Sequence, residues 1–112
     1  MTPEYEIFKE HGITADLNCL MMRTQELAMA VNLQGSHDAH AHYGASVSAH
    51  GGHSLTVMTK PRRSAWNDRS GIRREIELPN IASTAEQRFE SFQNLSEAIR
   101  ALTTLLKEDQ PS

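Results

Sequence analysis

The run His-Asp-Ala-His-Ala-His-Tyr-Gly-Ala-Ser-Val-Ser-Ala at residues 37–49 and the run Ser-Leu-Thr-Val-Met-Thr at residues 54–59 both alternate polar with apolar side chains. A period of two is typical of a strand that has one buried and one solvated face. Gly51 and Gly52 lie between the two runs, where a tight turn favours residues without a side chain. The sequence therefore predicts a β-hairpin.

The two faces of this hairpin indicate its register. A three-residue loop, residues 50–52, pairs Val47 with Leu55 on one apolar face and gives Gly52 the left-handed conformation that such loops require. A two-residue loop would place Ser48 opposite Leu55 and mix polar with apolar side chains. We therefore predict the three-residue loop.

A third strand follows, because Ile72, Ile76 and Leu78 alternate with charged residues before Pro79 ends the pattern. Two helices are predicted before the hairpin. The first covers residues 2–12 with Pro3 at its first position, and the second begins after Thr14 and ends before Gly35.

The last predicted helix opens with the capping box Ser83-Thr84-Ala85-Glu86. Apolar residues then recur at spacings of three and four, which predicts one buried stripe. Its members are Ala85, Phe89, Phe92, Leu95, Ile99, Leu102 and Leu106.

The predicted order α-α-β-β-β-α indicates an α+β fold, a two-layer sandwich in which helices cover one face of a three-stranded antiparallel β-meander. The other face stays solvated and is an obvious place for a partner. The polar side chains expected there are His40, His42, Ser46, Ser48, Thr56, Arg73, Glu75 and Glu77.

Over residues 14–106 this topology resembles that of double-stranded RNA-binding domains, and Gly51-Gly52-His53 resembles the loop between their first two strands. The lysine cluster that opens the last helix of that family is absent, because residues 83–90 are neutral to acidic overall. Topology without such a motif does not indicate function.

Composition fits one soluble globular domain. The chain has 112 residues, 38% of them hydrophobic and 22% charged, with a formal net charge of −3. We expect a single domain over residues 1–112, with a frayed polar end at residues 109–112. The lone Cys19 cannot form an internal disulfide and no long apolar run occurs, so we expect a cytoplasmic protein without membrane contact.

Basic residues concentrate in residues 60–74, which hold six of the eleven Lys and Arg residues and the only tryptophan. Guanidinium groups pair bidentately with phosphate and carboxylate, and an indole offers a stacking surface. We predict that this segment holds an anionic partner, in the first place a nucleic acid or nucleotide. The residues expected to bind it are Arg62, Arg63, Trp66, Arg69, Arg73 and Arg74.

Two other interpretations of the same segment stay open. It can grip an acidic protein surface, as an inhibitor or adaptor would, since arginine and tryptophan are enriched at interface hot spots. It can also be a solvated loop whose arginines pair with the protein's own acids while the indole packs on its own core.

His40 and His42 form the only metal-binding hypothesis, because alternate residues of a strand point to the same side. A third ligand would have to come from His50, Glu75, Glu77 or a second protomer. Without cysteine partners or fixed motif spacing, we expect a polar sheet face with no metal and no cofactor.

No nucleophile elbow, phosphate-binding glycine loop or carboxylate-pair signature occurs in the sequence, so we expect a small non-catalytic binding or regulatory protein.

The last helix is long for a three-stranded sheet. Methionines and Leu33 add apolar surface to the second helix, which favours a homodimer built from helix faces. The residues concerned are Met21, Met22, Met29 and Leu33.

Overall fold

Three helices and three strands lie within the residues that the computed structural model describes, residues 3–62 and 71–108. Their bounds are α1 Pro3–Glu10, α2 Ala15–Gln34, β1 His37–Ala45, β2 His53–Pro61, β3 Ile72–Glu77 and α3 Ala85–Glu108. The strands form one antiparallel sheet in the order β1-β2-β3. The predicted α+β class and element order are confirmed, while the predicted frayed end at residues 109–112 lies outside the described residues.

Helix α2 begins and ends where its sequence signals predict. The Thr14 side chain accepts a hydrogen bond from the Leu17 N–H at 3.2 Å, which satisfies a donor that the first turn leaves free. Gly35 adopts a left-handed conformation with φ 104° and donates its N–H to the Val31 carbonyl. Both boundaries are therefore confirmed.

The cap of α3 lies one residue later than predicted. Thr84 accepts from the Gln87 N–H at 3.1 Å, and the Gln87 side chain accepts from the Thr84 N–H at 2.9 Å. Ser83, which was predicted to be the cap, instead accepts a hydrogen bond from the Asn80 N–H. Both Ser83 and Thr84 stand three residues before a Glu or Gln, and the turn at Asn80 selects the second.

The hairpin register differs from the prediction by four residues. Tyr43, not Val47, pairs with Leu55, and Ala45, not Ala49, pairs with His53. A shift by an even number leaves on its predicted face every side chain that stays within a strand.

Strand β1 ends early because the chain between residues 46 and 52 forms its own compact turns. Ala49 donates to the Ser46 carbonyl, Gly52 donates to the Ala49 carbonyl, and Ser46 donates to the Gly52 carbonyl. Val47 therefore lies fully exposed in the loop. Gly52 has a φ of 80°, so its predicted left-handed conformation is confirmed.

Helices α2 and α3 cover one face of the sheet and bury the core between the two layers. The fully buried side chains include Leu17, Val31, Leu55, Ile76, Leu95 and Leu102. Phe89 was predicted to belong to the buried stripe but is 61% exposed. It lies about 120° around the helix from Leu95, and the small Ser91 takes its place against the sheet.

Arg88 holds two connections of the chain together. Its guanidinium donates to the Gly12 carbonyl at 2.8 Å and to the Asn80 carbonyl at 2.7 Å. Gly12 has a φ of 80°, and a Cβ there would lie 2.9 Å from the Asn80 backbone. The α1–α2 connection is thus fixed against the segment that follows β3.

None of the described helices combines the length and hydropathy that a bilayer-crossing segment requires.

Candidate functional site

The sheet face opposite the helices carries polar side chains from all three strands. His40, Met58 and Arg73 form one row across it, because His40 pairs with Met58 and Met58 pairs with Arg73. The next row is His42, Thr56 and Glu75. We call this surface the open face. The predicted grouping of these strand residues is confirmed.

Ser46 and Ser48 were predicted to lie on a strand of the open face, but they lie in the hairpin loop. Their hydroxyl groups are 3.3 Å apart, and Ser46 donates to the Glu75 carboxylate at 3.1 Å. The loop therefore folds back toward the acidic end of the open face.

Arg62 is engaged by its own protein. Its Nε donates to the Asp38 carboxylate at 2.9 Å, and its guanidinium also donates to the Asn32 carbonyl at 3.0 Å. The buried Lys60 donates to the other oxygen of Asp38 at 2.9 Å. Hydrogen bonds from Lys60 and then from Arg62 hold the pKa of Asp38 below its ordinary value. This cluster fixes the end of β2 against β1.

Arg73 and Arg74 lie on opposite faces of β3. Arg74 points to the helix layer and forms an ion pair with Glu97 of α3 at 3.1 Å. Arg73 is exposed on the open face and forms no ion pair with any residue in the described ranges. Of the three described arginines predicted to bind a partner, only Arg73 is left without a carboxylate. Arg63, Trp66 and Arg69 lie outside the described residues.

His40 and His42 share the open face and are both exposed. Across the part of the chain that the structure describes, no three His, Cys, Asp or Glu side chains come together in a group that could hold a metal ion. His50, the suggested third ligand, lies in the hairpin loop, where its Nδ1 is buried and has no hydrogen-bond partner in those residues. The alternative in which His50 completes a metal site with His40 and His42 is therefore not formed among those residues.

A second candidate lies on the helix side of the sheet, where a cavity of about 520 Å³ opens between α1, α2 and the hairpin. Ile7, Phe8 and Met22 contribute apolar lining, and Tyr43 and His53 contribute polar groups from the sheet. No local motif in the sequence marks this cavity, because its lining residues are spread between positions 7 and 80. Only the observed strand register, which places Tyr43 near His53, would have indicated that these two side chains meet at the cavity.

Comparison with protein-family models, curated proteins and solved structures found no match. Any functional conclusion therefore depends on the geometry of these two surfaces.

Proposed function

We propose that this is a small non-catalytic binding or regulatory protein that holds a compact anionic partner, a phosphate-bearing nucleotide, at the basic end of its open face. The observation that carries the proposal is Arg73, which is exposed and has no carboxylate partner in the described ranges. The lone cysteine favours a cytoplasmic setting for this binding.

The neighbours of Arg73 support an anion at this place. Met58 lies beside it and His40 lies one strand further, so an apolar thioether separates a guanidinium from an imidazole. A guanidinium binds phosphate bidentately, and methionine offers adaptable contact to a flat base. This row can therefore contact both the phosphate and the base of one nucleotide.

The charge layout favours a compact partner over a long nucleic acid. Glu75 and Glu77 follow Arg73 along the same edge strand and are exposed on the same face. Their carboxylates would repel a phosphate backbone that continued along β3. Arg62 is paired with Asp38. It therefore stabilises the fold at this end of the sheet and does not count as a group that is free to bind the partner.

Thermal denaturation with ligand tests the proposal. Adenosine monophosphate should raise the Tm with increasing dose, because a ligand of the native state adds RT ln(1 + [L]/Kd) to the free energy of unfolding. Arg73→Ala should lose this rise. Arg74→Ala is the matched control, since it removes the neighbouring guanidinium from the opposite face and should keep the rise.

Two results would contradict the proposal. One is a Tm that does not move with adenosine monophosphate, inorganic phosphate or a short single-stranded oligonucleotide. The other is a rise that Arg73→Ala leaves intact. Absence of any shift would favour the competing function, in which the same surface binds an acidic protein.

A homodimer is the second part of the proposal, and the outward side of α2 supports it. Its exposed residues repeat at alternating spacings of three and four, which is the pattern of a helix that packs on another helix. They are Cys19, Met22, Glu26, Met29 and Leu33. The buried stripe of α2 lies on the opposite side.

Light scattering after size exclusion tests the dimer. The wild-type chain should elute with twice the monomer mass, and Met29→Glu should elute as a monomer because it places a charge in the apolar seam. Val47→Glu changes an even more exposed apolar residue in the hairpin loop and should stay dimeric. A wild-type protein that is monomeric at high concentration would rule this part out.

A further inference from the structure

We propose that the cavity between α1, α2 and the hairpin binds a small, neutral, apolar molecule that donates a hydrogen bond to the hydroxyl of Tyr43. This site is separate from the anionic partner proposed above, because Tyr43 lies on the helix side of the sheet and Arg73 on the open face.

The size and lining of the cavity suit a small apolar ligand. Sites for such ligands have volumes of about 300–1,000 Å³ and are lined mainly by apolar groups with a few polar ones. This cavity measures about 520 Å³. Ile7 and Tyr43 line it while they are 55% and 51% exposed, so a ligand would cover apolar surface that the fold leaves in water.

The charge of the lining indicates that the ligand is neutral. No Asp, Glu, Lys or Arg side chain from the described ranges lines the cavity. An ion that entered would lose hydration without a compensating opposite charge. This separates the cavity from the open face, where charged residues dominate.

The hydrogen bonds of His53 fix which polar group Tyr43 presents. The Pro79 carbonyl can only accept, so the His53 Nε2 donates to it at 2.8 Å. In the neutral imidazole the Nδ1 is then an acceptor, and the Tyr43 hydroxyl donates to it at 3.0 Å. The hydroxyl proton of Tyr43 is therefore used in the bond to His53, and the hydroxyl oxygen can accept a hydrogen bond from a ligand. A ligand with an O–H or N–H group fits this oxygen.

His11 presents a second acceptor by the same reasoning. Its Nδ1 lies 2.9 Å from the Ile7 carbonyl, which cannot donate, so this nitrogen carries the proton. His11 is a lining residue of the cavity, and the Nε2 of its neutral ring is then an acceptor. The Tyr43 hydroxyl oxygen and the His11 ring therefore both favour a ligand that donates a hydrogen bond.

Contacts with the rest of the fold hold two parts of the cavity wall in place without a ligand. Arg88 ties the α1–α2 connection to Asn80. Gly51 packs so closely on the Leu78–Pro79 backbone that a Cβ there would lie 2.0 Å from the Leu78 carbonyl oxygen. A preformed pocket loses little freedom on binding, which favours even a small ligand.

Amide NMR of the full chain with two matched probes tests the proposal. The probes are para-butylphenol, which has a hydroxyl donor, and its methyl ether, which has none. Both should shift the amides of lining residues, and the phenol should bind about tenfold more tightly, as expected for one hydrogen bond of about 1.4 kcal/mol. Tyr43→Phe should remove that tenfold difference and leave the affinity of the ether within about twofold.

A second variant guards against an effect of Tyr43→Phe on folding. Ile7→Glu places a charge in the cavity and should abolish binding of both probes, whereas Val47→Glu in the hairpin loop should change neither. Arg73→Ala should also leave both probes unaffected, which separates this test from that of the anionic partner.

Three outcomes would overturn the proposal. The first is the absence of amide shifts at the lining residues with either probe. The second is equal affinity for the phenol and the ether, or a phenol affinity that Tyr43→Phe leaves unchanged. The third is the same set of amide shifts when the protein alone is concentrated, because that result would assign the cavity to a second copy of the chain.

Discussion

Asn32 and Ala39 exchange two hydrogen bonds between the last turn of α2 and the edge strand β1. The Ala39 N–H donates to the Asn32 Oδ1 at 2.9 Å, and the Asn32 Nδ2 donates to the Ala39 carbonyl at 2.5 Å. The side-chain amide thus takes the place that a further strand would occupy along β1. Because Ala39 is only 2% exposed, water cannot satisfy these groups.

Replacement of this amide should be costly. Asn32→Ala would leave a buried N–H and a buried carbonyl of Ala39 without partners, and we expect a loss of about 3 kcal/mol in the free energy of unfolding. Urea denaturation measures the loss. Gln34→Ala is the control, because that exposed side chain makes one longer bond, to the Leu106 carbonyl, and should change stability by less than about 0.5 kcal/mol. Equal losses for the two variants would contradict the assigned role.

The two adjacent glycines of the hairpin loop should respond differently to alanine. A Cβ on Gly51 would collide with the Leu78 carbonyl oxygen, so Gly51→Ala should destabilise by about 3 kcal/mol. Gly52 has open space around it and only its φ of 80° opposes a side chain, so Gly52→Ala should cost about 1 kcal/mol. Thermal denaturation of both variants gives the order, and a larger loss for Gly52→Ala would show that the loop does not dock on residue 78.

Loss of the Arg88 guanidinium should release α1 before it unfolds the sheet. Arg88→Ala removes two charge-assisted hydrogen bonds to the carbonyls of Gly12 and Asn80, which we expect to cost about 3 kcal/mol. Arg88→Lys can reach only one of the two carbonyls and should lose about half as much. Compared with wild type, Arg88→Ala should accelerate amide hydrogen exchange more in α1 than in β2. Unchanged exchange in α1 would contradict this.

Acid should weaken the contact between β1 and β2 through Asp38. Lys60 and Arg62 lower the pKa of Asp38 in the folded protein, so its contribution is complete above the unfolded pKa of about 3.9 and is lost as the pH falls through the folded pKa. Asp38→Asn should be less stable than wild type at neutral pH and should show a shallower loss on acidification. Denaturation midpoints measured from pH 7 downward test this, and parallel curves for the two proteins would exclude it.

The fold could be predicted from the sequence wherever a signal was local. Thr14 and Gly35 bound α2 as expected, and the alternating pattern assigned to its face each side chain that lies in a strand. The register failed because period-two alternation is unchanged by a shift of four residues. What shortened β1 was a set of backbone hydrogen bonds among residues 46–52, which no pattern of apolar residues encodes.

The candidate site was harder to predict because charge count does not reveal pairing. Arg62, Arg73 and Arg74 look alike in sequence, yet Asp38 and Glu97 lie next to two of them only after the sheet and α3 have formed. The face of β3 on which each arginine lies follows from alternation. Which of them meets a carboxylate depends on residues more than twenty positions away.

The Arg88 contacts also order events during synthesis on the ribosome. Arg88 is 76 residues from the Gly12 carbonyl that it anchors, and at about 5–20 residues per second its translation follows about 4–15 s after that of Gly12. Throughout that interval Phe8 of the nascent chain lacks the core against which it later packs. The newly made N-terminal segment therefore exposes more apolar surface, of the kind that chaperones recognise, until α3 docks.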